Sequence, residues 1–141
     1  MVDFMQGRKR VQLTFADLQG AQRVPPENIL RQILAAIDWR PVEAQLAALY
    51  PAVGRPGHVP LTLFRALLLR RWFGLSDPGL EAGLCDRLSW QYFCGLSLLD
   101  PVPDETTFCR FRRRLAQAGL GDSLFCQVEE ALVSANLRPP G

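Results

Sequence analysis

Residues Phe93 to Leu115, FCGLSLLDPVPDETTFCRFRRRL, contain a stop, a start and then a helix with a sharply divided surface. Pro101 and Pro103 break the segment they sit in, because proline lacks the N–H and the φ freedom that a helix interior needs. Asp104 stands where a helix N-cap belongs, with a carboxylate that can accept from first-turn N–H groups. Beyond it, at about 100° per residue, Phe108, Phe111, Leu115 and Ala118 fall within roughly an 80° wedge. The opposite face carries Thr106, Arg110, Arg113, Arg114 and Gln117. A narrow buried stripe backed by arginines suits a nucleic-acid groove, and it equally suits an ordinary solvated helix.

The neighbours of this helix are also helical. Val24-Pro25-Pro26 marks a fresh start, and proline fits a first helical turn, so a helix is expected from about Pro26 to Ile37 with Ile29 and Ile33 on its apolar face. Pro41 opens a second helix through Leu49, with Val42, Leu46 and Leu49 on one side. Three prolines and two glycines between Pro51 and Pro60 make a loop. From Pro60 or Leu61 to Phe73 the apolar residues run almost all the way round, the pattern of a helix surrounded by others, with Arg65, Arg70 and Arg71 reaching outward along their stems. Gly74 ends it. Ser76 and Asp77 cap the next helix, to about Arg87, with Leu80, Leu84 and Leu88 inward; Gly79 and Gly83 each weaken it by about 1 kcal/mol relative to alanine. Ser89 restarts a short piece, Trp90 to Cys94, and the pair outlines a helix-turn-helix. A last helix runs from about Asp122 to Asn136 with Leu124, Val128, Leu132 and Ala135 on one face. Val11 to Phe15 alternates and reads as a short strand or an extended arm; nothing after residue 20 reads as a strand. The expected architecture is a compact all-α domain of six or seven helices. It divides into an arm over 1–22, a helical domain over 23–137 and a tail over 138–141.

Composition bounds the function. With 48% hydrophobic and 21% charged residues, the 141-residue chain can bury a core and is not a disordered tract. A net charge of +2 is too small to argue for nucleic acid, but its distribution is uneven: residues 105–118 hold four arginines against Glu105, and Arg8-Lys9-Arg10 forms a second cluster that could act as a flexible arm on DNA or be a plain terminus. Cys85, Cys94, Cys109 and Cys126 form no CxxC pair and lie far from the single His58, so no zinc site is expected. Buried free thiols in a reducing cytoplasm are the simplest reading. The most apolar stretch, Leu61–Phe73, is broken by three arginines and is too short for a membrane span of about 20 residues. No signal peptide is evident, and the expected location is cytoplasmic.

Catalysis finds little support. His58 has no acidic or thiol neighbour, no Ser-His-Asp or Cys-His arrangement is evident, and there is no glycine-rich phosphate loop. The fourteen acids are scattered, whereas a two-metal site needs carboxylates held together. No catalytic residue, cofactor, metal or small-molecule substrate is expected. The DNA-contact candidates are Arg110, Arg113 and Arg114, with Thr106 and Thr107 in the first turn and Gln117 further along; arginine reads guanine edges and grips phosphates. Against this stands a solvated face paired with Glu129 or Glu130. Arg112, off that face, is expected to pair with Asp86 or Asp100. Trp90, Tyr92 and Phe93 could stack on bases, but core packing is the stronger reading.

At these residues the chain resembles the N-terminal, InsH-type domain of bacterial DDE-class insertion-sequence transposases. The likeness runs from Val24-Pro25-Pro26 through Ile37-Asp38-Trp39, Tyr50-Pro51 with Gly54-Arg55-Pro56, and Leu67-Leu68-Leu69 to Gly74-Leu75-Ser76-Asp77. It closes with Phe93-Cys94-Gly95-Leu96, Pro103-Asp104, Thr107, Arg110-Phe111-Arg112 and Leu115. Pro78-Gly79 and Gly83 depart from the charged, helix-favouring residues usual there. The resemblance implies a helical region that recognises terminal inverted repeats. It also implies a following ribonuclease-H-like domain whose three acids hold two divalent metals. The first of those acids lies on a strand beyond the last helix seen here, so the expectation is a truncated, non-catalytic DNA-binding copy, nucleoid-associated when bound. The alternative is a helical interaction module that joins itself or an intact transposase, through Leu132 and its neighbours.

Overall fold

The computed structural model describes residues 23–50 and 57–141, and among these residues caps and breakers bound seven α-helices. The expected arm over 1–22, with its strand reading and its basic cluster, lies outside the described residues, as does most of the Pro51–Pro60 loop. Helix α1 is Ile29–Ala36 and α2 is Arg40–Ala47. Helix α3 is Pro60–Phe73, α4 is Asp77–Asp86 and α5 is Leu88–Cys94. The arginine-bearing helix is α6, Glu105–Ala118, and α7 is Gly121–Ser134. Among the described residues there is no strand, and the fold is an all-α domain.

The starts follow side-chain chemistry. Asn28, not Pro26, opens α1: its Oδ1 accepts from Leu30 N–H at 2.9 Å and from Arg31 N–H at 3.4 Å. The two prolines before it form a turn closed by Asn28 N–H on the Pro25 carbonyl at 3.0 Å. Pro60 begins α3 because the missing proline N–H would have had no partner there. Ser76 Oγ accepts from Gly79 N–H at 3.1 Å, and Asp104 Oδ1 from Thr107 N–H at 2.8 Å. Gly74, Gly95 and Gly119 end α3, α5 and α6 in the left-handed region, at φ 63°, 78° and 69°.

Helix α3 is the centre. Leu63, Phe64, Ala66, Leu67, Leu68 and Leu69 are all buried, and α2, α4, α5 and α6 pack around it. Each of the larger side chains contributes about 1.5–3 kcal/mol on leaving water, so this one helix supplies a large share of the core. Helix α1 lies on α5, and α7 lies on α6 through Leu124, Val128 and Leu132. Leu132, expected at a partner-binding face, is instead buried inside the chain's own core, while its neighbour Val133 is exposed.

Helices α4 and α5, the helix-turn-helix-like pair, are separated by Arg87 alone. Trp90 and Phe93 are buried, which settles them as core. Gly83 has a role beyond lowering helix propensity. A β-carbon there would stand 2.2 Å from the Trp90 ring, so only glycine lets the indole lie against α4.

Several expectations need correction. Ala118 and Ala135 are exposed, because they sit at helix ends where no neighbour covers the stripe. The last helix starts at Gly121 and stops at Ser134. Of the thiols only Cys94 is buried; Cys85 and Cys126 are exposed and Cys109 is half-buried. Arg65 does not reach freely outward: its guanidinium lies 4.5 Å from the Trp39 ring centre, with Nε buried.

Candidate nucleic-acid interface

The run Arg110-Phe-Arg-Arg-Arg114 is sorted by helical geometry into three environments. Phe111 turns into the core. Arg112 turns sideways to α4, where it pairs with Asp77, while Arg70 of α3 holds the other carboxylate oxygen at 3.0 Å. The expected partner was Asp86 or Asp100, and the fold supplies the acid at the start of α4 instead. Arg110 and Arg113 turn outward and are exposed.

Thr106, Arg110, Arg113 and Gln117 follow the i, i+4, i+7, i+11 spacing and form one exposed line along α6. Arg114 leaves this line towards the end of α2, with its guanidinium 4.4 Å from the Tyr50 ring centre. Burial pushes the Tyr50 phenol above its ordinary pKa, and Arg114 partly offsets that. Among the described residues no carboxylate lies within ion-pairing distance of Arg110, Arg113 or Arg114. Of the two acids expected to face them, Glu129 lies 3.9 Å from Arg71 and Glu130 is exposed.

The start of α6 is less open to anions than the sequence implies. Thr107 gives both its N–H and its hydroxyl to Asp104 Oδ1, each at 2.8 Å, and Glu105 N–H donates to Glu81 Oε1 at 2.7 Å. Two first-turn donors are thus already held by carboxylates. The Thr107 hydrogen bonds, with smaller contributions from Arg110 and His58, keep the Asp104 carboxyl below the usual carboxylate range. The cationic surface is centred on the second half of the helix.

Thr107, Arg110 and Arg114 also line one side of a pocket of about 370 Å³, with Tyr50, Gly57, His58, Leu63 and Phe111 completing it. Spacing along the chain gave no sign that Tyr50 or His58 would meet α6. Among the described residues no group of three or more His, Cys, Asp or Glu side chains could hold a metal ion, and no helix is long and apolar enough to cross a membrane.

A family model described as a transposase domain (DUF772) matches residues 19–114, a span that takes in α1 to α5 and the three outward arginines of α6. No solved structure matches the chain.

Proposed function

The chain belongs to the transposase-domain family DUF772, and from that membership we propose that it binds DNA, as the element that recognises the terminal inverted repeats of an insertion sequence. The DDE class of the parent enzyme is part of the same proposal. The observation that carries it is the set of three exposed arginines on α6 that, among the described residues, have no carboxylate within ion-pairing distance. Glu129, one of the acids that could have faced them, lies beside Arg71 instead.

Arg110 and Arg113 contact phosphates or guanine edges, Arg114 contacts the backbone from beside Tyr50, and Gln117 and Thr106 extend the line at its two ends. Thr107 supports the helix start through its bonds to Asp104. The work proposed is binding, with no chemical step assigned to these residues. The domain limits 23–137, with a short tail after them, are proposed as the unit that performs it.

Fluorescence anisotropy with a labelled repeat-end duplex across a salt series is the test. Three phosphate contacts give a slope of log affinity against log salt of roughly −3. Replacing Arg110, Arg113 and Arg114 together by alanine should flatten that slope towards zero. An affinity that ignores the triple substitution would remove the proposal.

A further inference from the structure

The pocket beside α6 joins groups that the sequence keeps far apart, and it gives the DNA-binding face a defined seat. Its floor is apolar, from Leu63 and Phe111. Tyr50, His58, Arg110 and Arg114 line the rest of it. Its volume of about 370 Å³ is far above the roughly 10–15 Å³ that a single water requires on the same measure. Arg110 and Arg114 stand one turn apart, so their side chains reach the same space. Tyr50 holds Arg114 in place from below, its ring 4.4 Å from the guanidinium carbon.

Among the described residues the lining holds two arginines and no carboxylate. Arg110 and Arg114 present forked N–H groups with no carboxylate in reach among the described residues. The nearest acid, Asp104, is already accepting two hydrogen bonds from Thr107. A site of this kind fits a compact oxyanion with several acceptor oxygens. Arg110 belongs both to this pocket and to the exposed line of α6, so an anion seated here lies at the edge of the surface proposed to meet DNA.

We infer that the His58–Tyr50–Arg110–Arg114 pocket seats one phosphodiester group of the bound DNA, which fixes the register of α6 on the duplex. This rests on the DNA-binding reading above. His58 supplies a donor from a different segment of the chain, so the phosphate is gripped from two sides. Grip from two segments positions a helix, whereas a single row of arginines can slide along the backbone.

The chain has one histidine, so its imidazole proton resonances report on His58 with no need for assignment. The full chain, in phosphate-free buffer, is titrated with a repeat-end duplex and, separately, with inorganic phosphate. Proton NMR and anisotropy are recorded on the same samples. The expected result is a saturable shift of the imidazole signals in step with the anisotropy. It should be abolished by Arg110→Ala with Arg114→Ala, and His58→Ala should bind the duplex about three- to tenfold more weakly. Should the double variant unfold, Arg110→Gln, at an exposed position, supplies the same comparison.

A duplex that binds while the imidazole signals stay still overturns the pocket and leaves the DNA-binding reading standing. A duplex that does not bind overturns that reading. If inorganic phosphate alone then moves the signals, the pocket serves a small phosphate compound and the phosphodiester assignment is overturned.

Discussion

Arg112 and Asp77 join α6 to α4, and the same carboxylate reaches α3 through Arg70. Three helices therefore meet on one acid, and the arginine that sits among the outward cations is the one that does not face outward. Its side chain is 38% exposed and Asp77 only 15%, so water screens the pair incompletely.

Arg112→Ala and Asp77→Asn should each lower stability in urea unfolding by about 1–3 kcal/mol, the usual cost of a lost charge-assisted bond. Neither should change the salt slope of DNA binding. A slope change with Arg112→Ala as large as with Arg113→Ala would mean that Arg112 touches the duplex.

On the DNA-binding proposal, Tyr50 acts through Arg114, whose guanidinium lies over its ring. A cation over an aromatic face at such a site is held by about 0.5–1 kcal/mol, equal to about two- to fivefold in affinity. Tyr50→Ala should weaken duplex binding by that factor in anisotropy. Tyr50→Phe keeps the ring face and should bind within about twofold of the parent.

Gly83 yields a prediction whose sign opposes helix propensity. Alanine favours a helix over glycine by about 1 kcal/mol, yet its β-carbon would stand 2.2 Å from the Trp90 ring. Gly83→Ala should therefore destabilise the chain by about 1–3 kcal/mol, as overpacking does. In a Trp90→Leu background the clash is gone, and Gly83→Ala should then stabilise. Thermal melts of the four chains in this cycle separate the two effects.

Asp104 gives a pH dependence. Its native pKa is depressed, chiefly by the Thr107 backbone N–H and hydroxyl. A depressed acid contributes stability above its unfolded value, about 3.9, and the contribution is lost as pH falls through the lower native value. The melting temperature of Asp104→Ala should lie below that of the parent at neutral pH. The two curves should converge under acid, below the native pKa. A gap that persists unchanged into strong acid would locate the effect in packing.

Local signals carried much of the architecture. Pro60, Gly74, Asp104 and Gly119 mark ends of α3 and α6 where the structure has them, because each acts through its own backbone or the next turn. The all-round apolar pattern of Leu61–Phe73 identified the central helix for a similarly direct reason. Errors arose where a stronger local group intervened, as when Asn28 capped α1 beyond the two prolines. They also arose where a helix outran its neighbours, as at Ala118 and Ala135. The outward disposition of Arg110, Arg113 and Gln117 was readable from helical spacing. The partner of Arg112 was not, since Asp77 lies 35 residues away and no periodicity links them. Tyr50 and His58 were beyond reach for the same reason: only the stacking of Tyr50 on Phe111 and the placement of His58 beside α6 bring them there.

Helix α6 is clasped on both flanks, by Asp77 on one side through Arg112 and by Tyr50 on the other through Arg114. It cannot roll about its axis without breaking one clasp. On the DNA-binding proposal, the entropy of orienting the helix is thus surrendered once, during folding, and only the exposed Arg110 and Arg113 side chains remain to be ordered on a duplex. Association should then resemble a rigid key meeting a groove, with a rate set by charge steering and one kinetic phase in stopped-flow mixing.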